Sequence, residues 1–600
     1  MLRHALLTAL ILSSGAAATA QDRPSIRRSD VVFMYDNPKV YRAYGCTALG
    51  WAGSWDARRV EAAHAAGVRL FASSVGFRTE FAAMIDFSPD FLDAACRNLA
   101  GEPFIVPWLW DHKHKGQKAW WFCTNSPLYR KFLESRIERM MKAPLDGLHI
   151  DDYTGTAGAV TWLSACFCRH CTDGFREYLA KGVAKEKKEK KEKKEKLDAL
   201  GIKDLAAFDY RQFLLDRGVK PAEYNAKRSG LPLAAEFYDY QVKTNNAFVA
   251  EYRRRAEALR GRPLALGVNS GLGSPADLAI ASHLSFFCCE VDHHAAARAV
   301  PLHPAYVYKL ADGLSRPVTS TASGWDWAYV KEHKLAGLVR PWIAMSYAFG
   351  HNLMAPHRQW CYTQEKGTHW YDGPTDEYAW LYQFVREHAG LLDGYDAVAP
   401  VAVLYDNAAR RKGLGNIEPI STALAARNVP FTVVVAGDDW LDYRLDPARL
   451  AGFKAVIVAK DHDRSPLDAA QKKLLDAVRS DGRLVVWPDE KRLAQLVPAP
   501  VVVDGTDQVF AVPRLAVGKN DAPAVVHLIN RRYDGKTDAM VPLENLTLRL
   551  RRDLLPGRRP AKAIFHAPKE EPRTLDVAVD GESLVVKLPR LTLWGILELP

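Results

Sequence analysis

Cysteine and methionine are scarce in this chain, with nine and eight in 600 residues, and no cysteine follows Cys361. A disulfide-dense scaffold is therefore excluded, and 48% hydrophobic with 25% charged residues excludes collagen-like and wholly disordered classes. Beyond the first twenty residues no apolar run reaches the ~20 residues of a bilayer span. Charge of one sign is not in large excess: 81 basic against 70 acidic residues leave +11. Residues 185–196 (KEKKEKKEKKEK), with eight Lys and four Glu, carry +4 of that excess in a tract read as a solvated helix extension or loop. No Arg-rich stripe remains, so nucleic acid is not an expected partner. HEXXH is absent as well, which removes one familiar catalytic metal motif.

What is present begins with MLRHALLTALILSSGAAATA. A basic start, a short apolar run and an A-x-A-like end at Ala18–Ala20 predict a secretory signal peptide over residues 1–20 and a periplasmic or extracellular protein. No membrane span is expected in the mature chain. Cys166, Cys168 and Cys171 (CFCRHC) lie too close together for three separate staples, and their spacing suits a tetrahedral metal, usually zinc, with a fourth ligand from elsewhere.

From residue 30 to 395 short apolar runs alternate with amphipathic stretches. The expected strands are 31–37, 68–77, 103–112, 147–153, 263–271, 284–294, 317–327 and 348–357. Eight β-then-α units predict a (β/α)8 TIM barrel with an insertion at about 154–261. Residues 399–500, with VAVLYD, FTVVVAG, KAVIVAK and RLVVWPD, predict a flavodoxin-like α/β domain. No G-x-G-x-x-G follows its first strand and no Cys could serve as an amidotransferase nucleophile, so its expected role is structural, with self-association into a homo-oligomer as the expected partner contact. Residues 501–600 alternate short strand-like runs with Pro and Gly turns and predict a β-sandwich.

A barrel carries its chemistry at the C-terminal ends of its strands. There the sequence places Asp151 and Asp152 (DGLHIDDY), Glu290 (FFCCEVDHH), Asp292 and Asp326. Cleaving a glycosidic bond takes two flanking carboxyl groups, one of which keeps a raised pKa to donate a proton. Asp151, Asp152 and Glu290 are the catalytic candidates, with Asp292 and Asp326 competing for the second position. Thirteen of the sixteen Trp lie in residues 51–380, several at predicted strand ends, where flat aromatic faces suit sugar rings. Trp110, His112, Asn269, Trp325, Asp326 and His357 are the expected substrate-binding residues. His112, His114, His149, His293, His294 and His357 gather at the same rim, which leaves a catalytic metal site open as an alternative. No organic cofactor is indicated.

FCTNSPLYRKFLESRI (122–137), followed by SACFCRHCTDGFREYL (164–179), resembles the pattern of glycoside hydrolase family 42 β-galactosidases. The resemblance implies a structural zinc held by Cys123, Cys166, Cys168 and Cys171, and the same order of barrel, flavodoxin-like trimerisation domain and β-sandwich. It also implies Asp152 in the acid/base position, where the family has the Glu of Asn-Glu-Tyr, with a reach shorter by one methylene. The family's nucleophile is a Glu ending strand seven; TSTASGWDW offers only Asp326 there. Fucosidase-like and galactosidase-like retaining barrels instead pair strands four and six, which fits Asp151 or Asp152 with Glu290. The expectation is an exported glycoside hydrolase outside family 42, acting on oligo- or polysaccharide. A non-catalytic carbohydrate-binding barrel and a metal-dependent hydrolase using the rim histidines are the alternatives.

Overall fold

The computed structural model describes residues 23–78, 80–163, 165–181, 187–519 and 521–600. The signal-peptide expectation for residues 1–20 lies outside the described residues.

Eight parallel strands form the barrel: β1 (Val32–Phe33), β2 (Ala48–Ala52), β3 (Leu70–Gly76), β4 (Gly147–Asp151), β5 (Ala265–Asn269), β6 (Phe286–Val291), β7 (Val318–Ala322) and β8 (Asn352–Leu353). Each pairs in parallel with the next. The ring closes where the Ala355 N–H donates to the Val32 carbonyl across 2.8 Å. Local chemistry sets the helix starts: Asp56 accepts from the Arg59 N–H to cap Ala57–Ala65, and Pro127 opens Pro127–Met140 at its first position. The long helix Ala234–Arg260 ends at Gly261, whose φ of 71° is the left-handed stop that glycine takes without strain.

The count of eight agrees with the sequence reading, but one member differs. Residues 103–112 are not a barrel strand. Pro103 and Pro107 interrupt the apolar run, which makes isolated bridges, Arg97 with Pro103 and Ile105 with Trp120, and a 3-10 turn at Pro107–Leu109. The barrel position is taken by Ala48–Ala52, a small-residue strand buried on both faces. The segment DGLHID remains the fourth strand.

Between β4 and β5 the chain leaves the barrel and builds helices with an aromatic core of their own, in which Phe167, Phe175, Tyr210 and Phe237 pack together. Part of the Lys/Glu tract lies in the helix Lys187–Ala199. Farther on, Phe431–Ala436, Val401–Asp406, Ala455–Val458 and Leu484–Val486 form a parallel sheet in that order, the flavodoxin-like 2-1-3-4 arrangement. A nine-stranded antiparallel sheet folds over a shared core to make the C-terminal sandwich. Tyr395–Ala397, which precedes the parallel sheet in sequence, pairs with Val509–Ala516 in that sandwich. Trp594 joins sandwich to barrel, packing on Tyr347 and Phe384. No helix among the described residues is long and apolar enough to cross a membrane.

Candidate active site

At the C-terminal end of the barrel a cavity of about 990 Å³ opens, and Asp151, Asp152, Asn269 and Glu290 all line it. Parallel register puts the carboxyl-bearing ends side by side, with Ile150 opposite Val268 and Asn269 opposite Cys288, so that Asp151, Asn269 and Glu290 end three consecutive strands. The Asn269 amide joins them. Its Nδ2 lies 3.3 Å from Asp151 Oδ1 and 3.3 Å from Glu290 Oε1. Two oxygens that each lie 3.3 Å from one nitrogen can be no more than about 6.6 Å apart.

Burial pushes both carboxyls up. Desolvation raises Asp151 well above the usual range, followed by the negative charges of Asp152 and Glu290, while the Asn269 hydrogen bond and Arg78 oppose the rise. Glu290 is raised to about 7, first by desolvation and then by Asp152. Both carboxyls therefore hold their protons to higher pH than exposed ones do. Tyr35 stands beside them, its phenol pushed up by burial and then by the charges of Asp151 and Glu290.

Asp152 does not share this arrangement. Its backbone takes a left-handed φ of 50°, and its carboxylate accepts from Arg78, whose guanidinium lies over the rings of Trp108 and Trp121 at 4.9 and 4.8 Å. Neighbours on a strand point to opposite faces, and here one carboxylate faces Glu290 while the other is held by a cation. Asp152, to which the family 42 resemblance gave the acid/base position, lines the cavity but pairs with Arg78, whereas Asp151 shares the Asn269 amide with Glu290.

Aromatic rings wall the cavity. After β8 the hairpin Gln359–Thr363 and Gly367–Tyr371 brings in Trp360, Tyr362 and Trp370. Trp360 stacks on Tyr362, and Trp325 meets the same ring edge-on at 5.2 Å. Trp325 and Trp162 are 56% and 64% exposed, unusual for rings of this size unless they meet a ligand. His112 also lines the cavity, hydrogen-bonded to Asp111. Trp110, 49% exposed, sits two residues away in the same loop but outside the lining.

Two expected substrate contacts are corrected. Asp326 is buried, and its oxygens accept from the His293 and Ala295 N–H groups and the Ser323 hydroxyl, fixing a turn and holding Ser323, the residue that caps the helix Gly324–His333. His357 is buried too, stacked on Phe33 with Nδ1 at the Ala355 carbonyl, and does not line the cavity. Asp292 is exposed and bonded to its own turn at His294. The rim histidines do not converge. His149 is buried against Trp51, and His114 bonds Asp86. Among the described residues, the group whose ligand atoms converge is the four cysteines.

The sequence reading assigned no role to Arg78, nor to Trp51 and Trp55, which also line the cavity. The two tryptophans come from β2 and its loop, which it had not counted as a strand. Arg136 lies over the Trp55 ring at 4.2 Å and pairs with Glu80 across 2.6 Å, a second charge-neutral pair on the wall.

Cys123, Cys166, Cys168 and Cys171 are buried and reduced, with all four Sγ atoms within 4.8 Å of one another. Cys123 is 3.5 Å from Cys171 and 3.6 Å from Cys168. A tetrahedron of sulfurs at ~2.3 Å from a zinc ion has edges of about 3.8 Å, so the group fits a metal, whereas a disulfide would need ~2.05 Å. Peptide N–H groups of Arg97 and Cys168 point at Cys166 Sγ across 3.3 and 3.4 Å, as they do at thiolates.

No protein-family model matches the chain. The chain is 25% identical over 512 residues, 81% of its length, to an alpha-agarase of Alteromonas agarilytica. It spans about a third of that relative, 34% of its length. Two solved structures share the fold. An alpha-L-fucosidase isoenzyme of Paenibacillus thiaminolyticus superposes with a TM-score of 0.56 at 12% identity, covering 96% of this chain and 99% of its own. A beta-galactosidase of Marinomonas ef1 gives 0.54 at 12% identity, covering 95% and 100%. The fold is that of a TIM barrel with additional C-terminal domains.

Proposed function

We propose that the chain is an exported glycoside hydrolase acting on polysaccharide with retention of configuration, and that Asp151 and Glu290 are its catalytic pair. The observation that carries this reading is the single Asn269 amide within 3.3 Å of both carboxylates on the floor of a tryptophan-walled cavity. Retaining glycosidases hold their carboxyls ~5–5.5 Å apart and inverting ones ~6.5–9.5 Å, and two carboxyls that share one amide nitrogen favour the closer spacing. One carboxylate attacks the anomeric carbon while the other, kept protonated by burial, donates to the leaving oxygen and then draws a proton from water. Asn269 orients both. Arg78 pairs with Asp152 and opposes the rise that the Asp152 charge imposes on both members of the pair. The likeness to an alpha-agarase supports an agar-type polysaccharide as substrate, and the apolar start of the chain supports export.

A structural zinc is part of this reading, held by Cys123, Cys166, Cys168 and Cys171. Four thiolates close its shell and leave no position for water, so the ion ties the loop before Pro127–Met140 to the helix Arg169–Lys181 and takes no part in hydrolysis.

The test is release of reducing ends from agarose and a panel of other polysaccharides, with the anomer formed first read by proton NMR. Retained anomer from the wild type, and no release by Asp151→Asn or Glu290→Gln, is the expected result. Sugar binding without release from any substrate would establish the carbohydrate-binding alternative instead.

A further inference from the structure

One arrangement recurs three times on the wall of the catalytic cavity: a guanidinium lies over a lining tryptophan and is met by an acid. Arg78 lies over Trp108 at 4.9 Å, Arg136 over Trp55 at 4.2 Å and Arg358 over Trp370 at 4.6 Å. Asp152 accepts from Arg78, Glu80 pairs with Arg136 across 2.6 Å, and Asp372 accepts from Arg358 across 3.0 Å. Different parts of the chain supply these groups. Arg78 and Glu80 follow β3, Asp152 follows β4, Arg136 reaches in from Pro127–Met140, and Arg358 and Asp372 flank the hairpin after β8.

A guanidinium held over an indole by cation–π attraction still presents its edge to anions. Here a carboxylate meets each of the three. The nitrogens left without partners, Arg78 Nε and Nη1 and Arg136 Nε, are shielded from solvent and out of a ligand's reach. Among the described residues no lysine lines the cavity, and His112 is held by Asp111. Acids outnumber arginines in the lining itself, where Glu80, Asp151, Asp152, Asp277 and Glu290 accompany Arg78 and Arg136.

A sugar residue bearing a sulfate ester or a carboxylate would bring its charge to a wall whose cations are already taken, beside the carboxyls that do the chemistry. That charge would stay uncompensated and repelled. An uncharged residue meets no such cost. Its apolar face stacks on the rings, and its hydroxyls find donors and acceptors in a lining rich in both.

We propose that the cavity selects uncharged sugar residues and rejects sulfated or uronic ones, and that Glu80, Asp152 and Asp372 set this selectivity by occupying the three arginines. The proposal rests on the reading of the cavity as a carbohydrate site, and it narrows an agar-type substrate to its unsulfated stretches.

Glu290→Gln, which on the hydrolase reading holds substrate without cleaving it, is titrated calorimetrically with an agarose oligosaccharide and with the same oligosaccharide carrying sulfate esters. Cleavage of both by the wild type is measured alongside. The neutral sugar is expected to bind, and the sulfated one at least about a hundredfold more weakly. Glu80→Gln and Asp372→Asn release Arg136 and Arg358 while keeping side-chain size. Added to Glu290→Gln, each is expected to raise the ratio of sulfated to neutral affinity about tenfold, an effect that salt reduces. Asp372 is exposed, so its variant tests the proposal without disturbing the fold. The proposal is overturned if the sulfated sugar binds as tightly as the neutral one, if neither binds, or if the ratio stays unmoved in both variants. Preference for the neutral sugar with no cleavage by the wild type would sink the hydrolase reading and leave this one standing; equal cleavage of both sugars would do the reverse.

Discussion

Arg78 takes the Asp152 carboxylate out of the space that Asp151 shares with Glu290, and the chain accepts a left-handed backbone at Asp152 to allow it. A non-glycine residue in that region costs on the order of 1 kcal/mol, less for Asp than for most side chains. The pairing thus gives two adjacent acids different surroundings: burial pushes both up, but at Asp152 the charge and hydrogen bond of Arg78 oppose the rise directly, while Asp151 shares Asn269 with Glu290.

Asp152→Asn keeps the left-handed preference but removes the charge. Asp152 raises Glu290 and Asp151, and Arg78 lowers both. Without the carboxylate the cation acts alone, so both pKa values fall and the pH–rate profile moves to lower pH. Turnover is expected to survive at a reduced level, which a pH series of kcat/KM on a soluble substrate measures.

Asp151→Gly and Glu290→Gly are each expected to lose about 10²–10⁴-fold in kcat, the size of a general acid–base contribution or more. Added azide separates their roles. The nucleophile variant would form a glycosyl azide of inverted configuration and the acid/base variant one of retained configuration. Rescue of neither would remove the pair from the mechanism.

The raised pKa of Glu290 also has a stability consequence. A carboxyl at about 7 when folded and 4.5 when unfolded binds more protons in the folded state, so stability falls as pH rises through that window. Below the unfolded value the penalty is absent; above 7 it is complete, roughly 3 kcal/mol. Glu290→Gln is therefore expected to have a higher Tm than the wild type at pH 8 and an equal one at pH 4, by calorimetry.

One zinc per chain is expected from metal analysis of protein purified without chelator. Cys168→Ser should lower both zinc content and Tm. Chelation should abolish activity only as fast as the protein unfolds, because the ion holds structure.

Trp325→Ala should raise KM on long oligosaccharides severalfold with little change in kcat, since an exposed ring contributes about 1 kcal/mol of stacking equally before and during reaction. A fall in kcat alone would instead place that ring against the transition state.

The barrel was legible in the alternation of apolar runs, and the fourth strand was identified because its run stops at two acids. The second was not, and 103–112 was read as a strand instead. ALGWA has no β-branched residue and PFIVPWLWDH has two, so propensity favoured the wrong segment; what selects ALGWA is room. A Cβ on Gly50 would stand 3.0 Å from Val32 and 3.4 Å from Cys288 and Thr319, so the barrel interior admits only a small residue there. At the site, residue type alone could not separate Asp151 from Asp152 or Asp326 from Glu290. Those distinctions depend on Arg78 and on the N–H groups of His293 and Ala295, partners remote in sequence.

The hydrogen bond from Ala355 to Val32 closes the barrel with the first strand and the last. At ~5–20 residues per second the ribosome needs on the order of tens of seconds between making the one and the other. For all that time β1 has a neighbour on one side only, and the long excursion before β5 must fold beside an open ring. That excursion carries its own aromatic core and three of the four cysteines, and the fourth, Cys123, is made before it, so it can set early. Zinc supply during synthesis would then govern the yield of folded protein more than it governs the activity of what has folded.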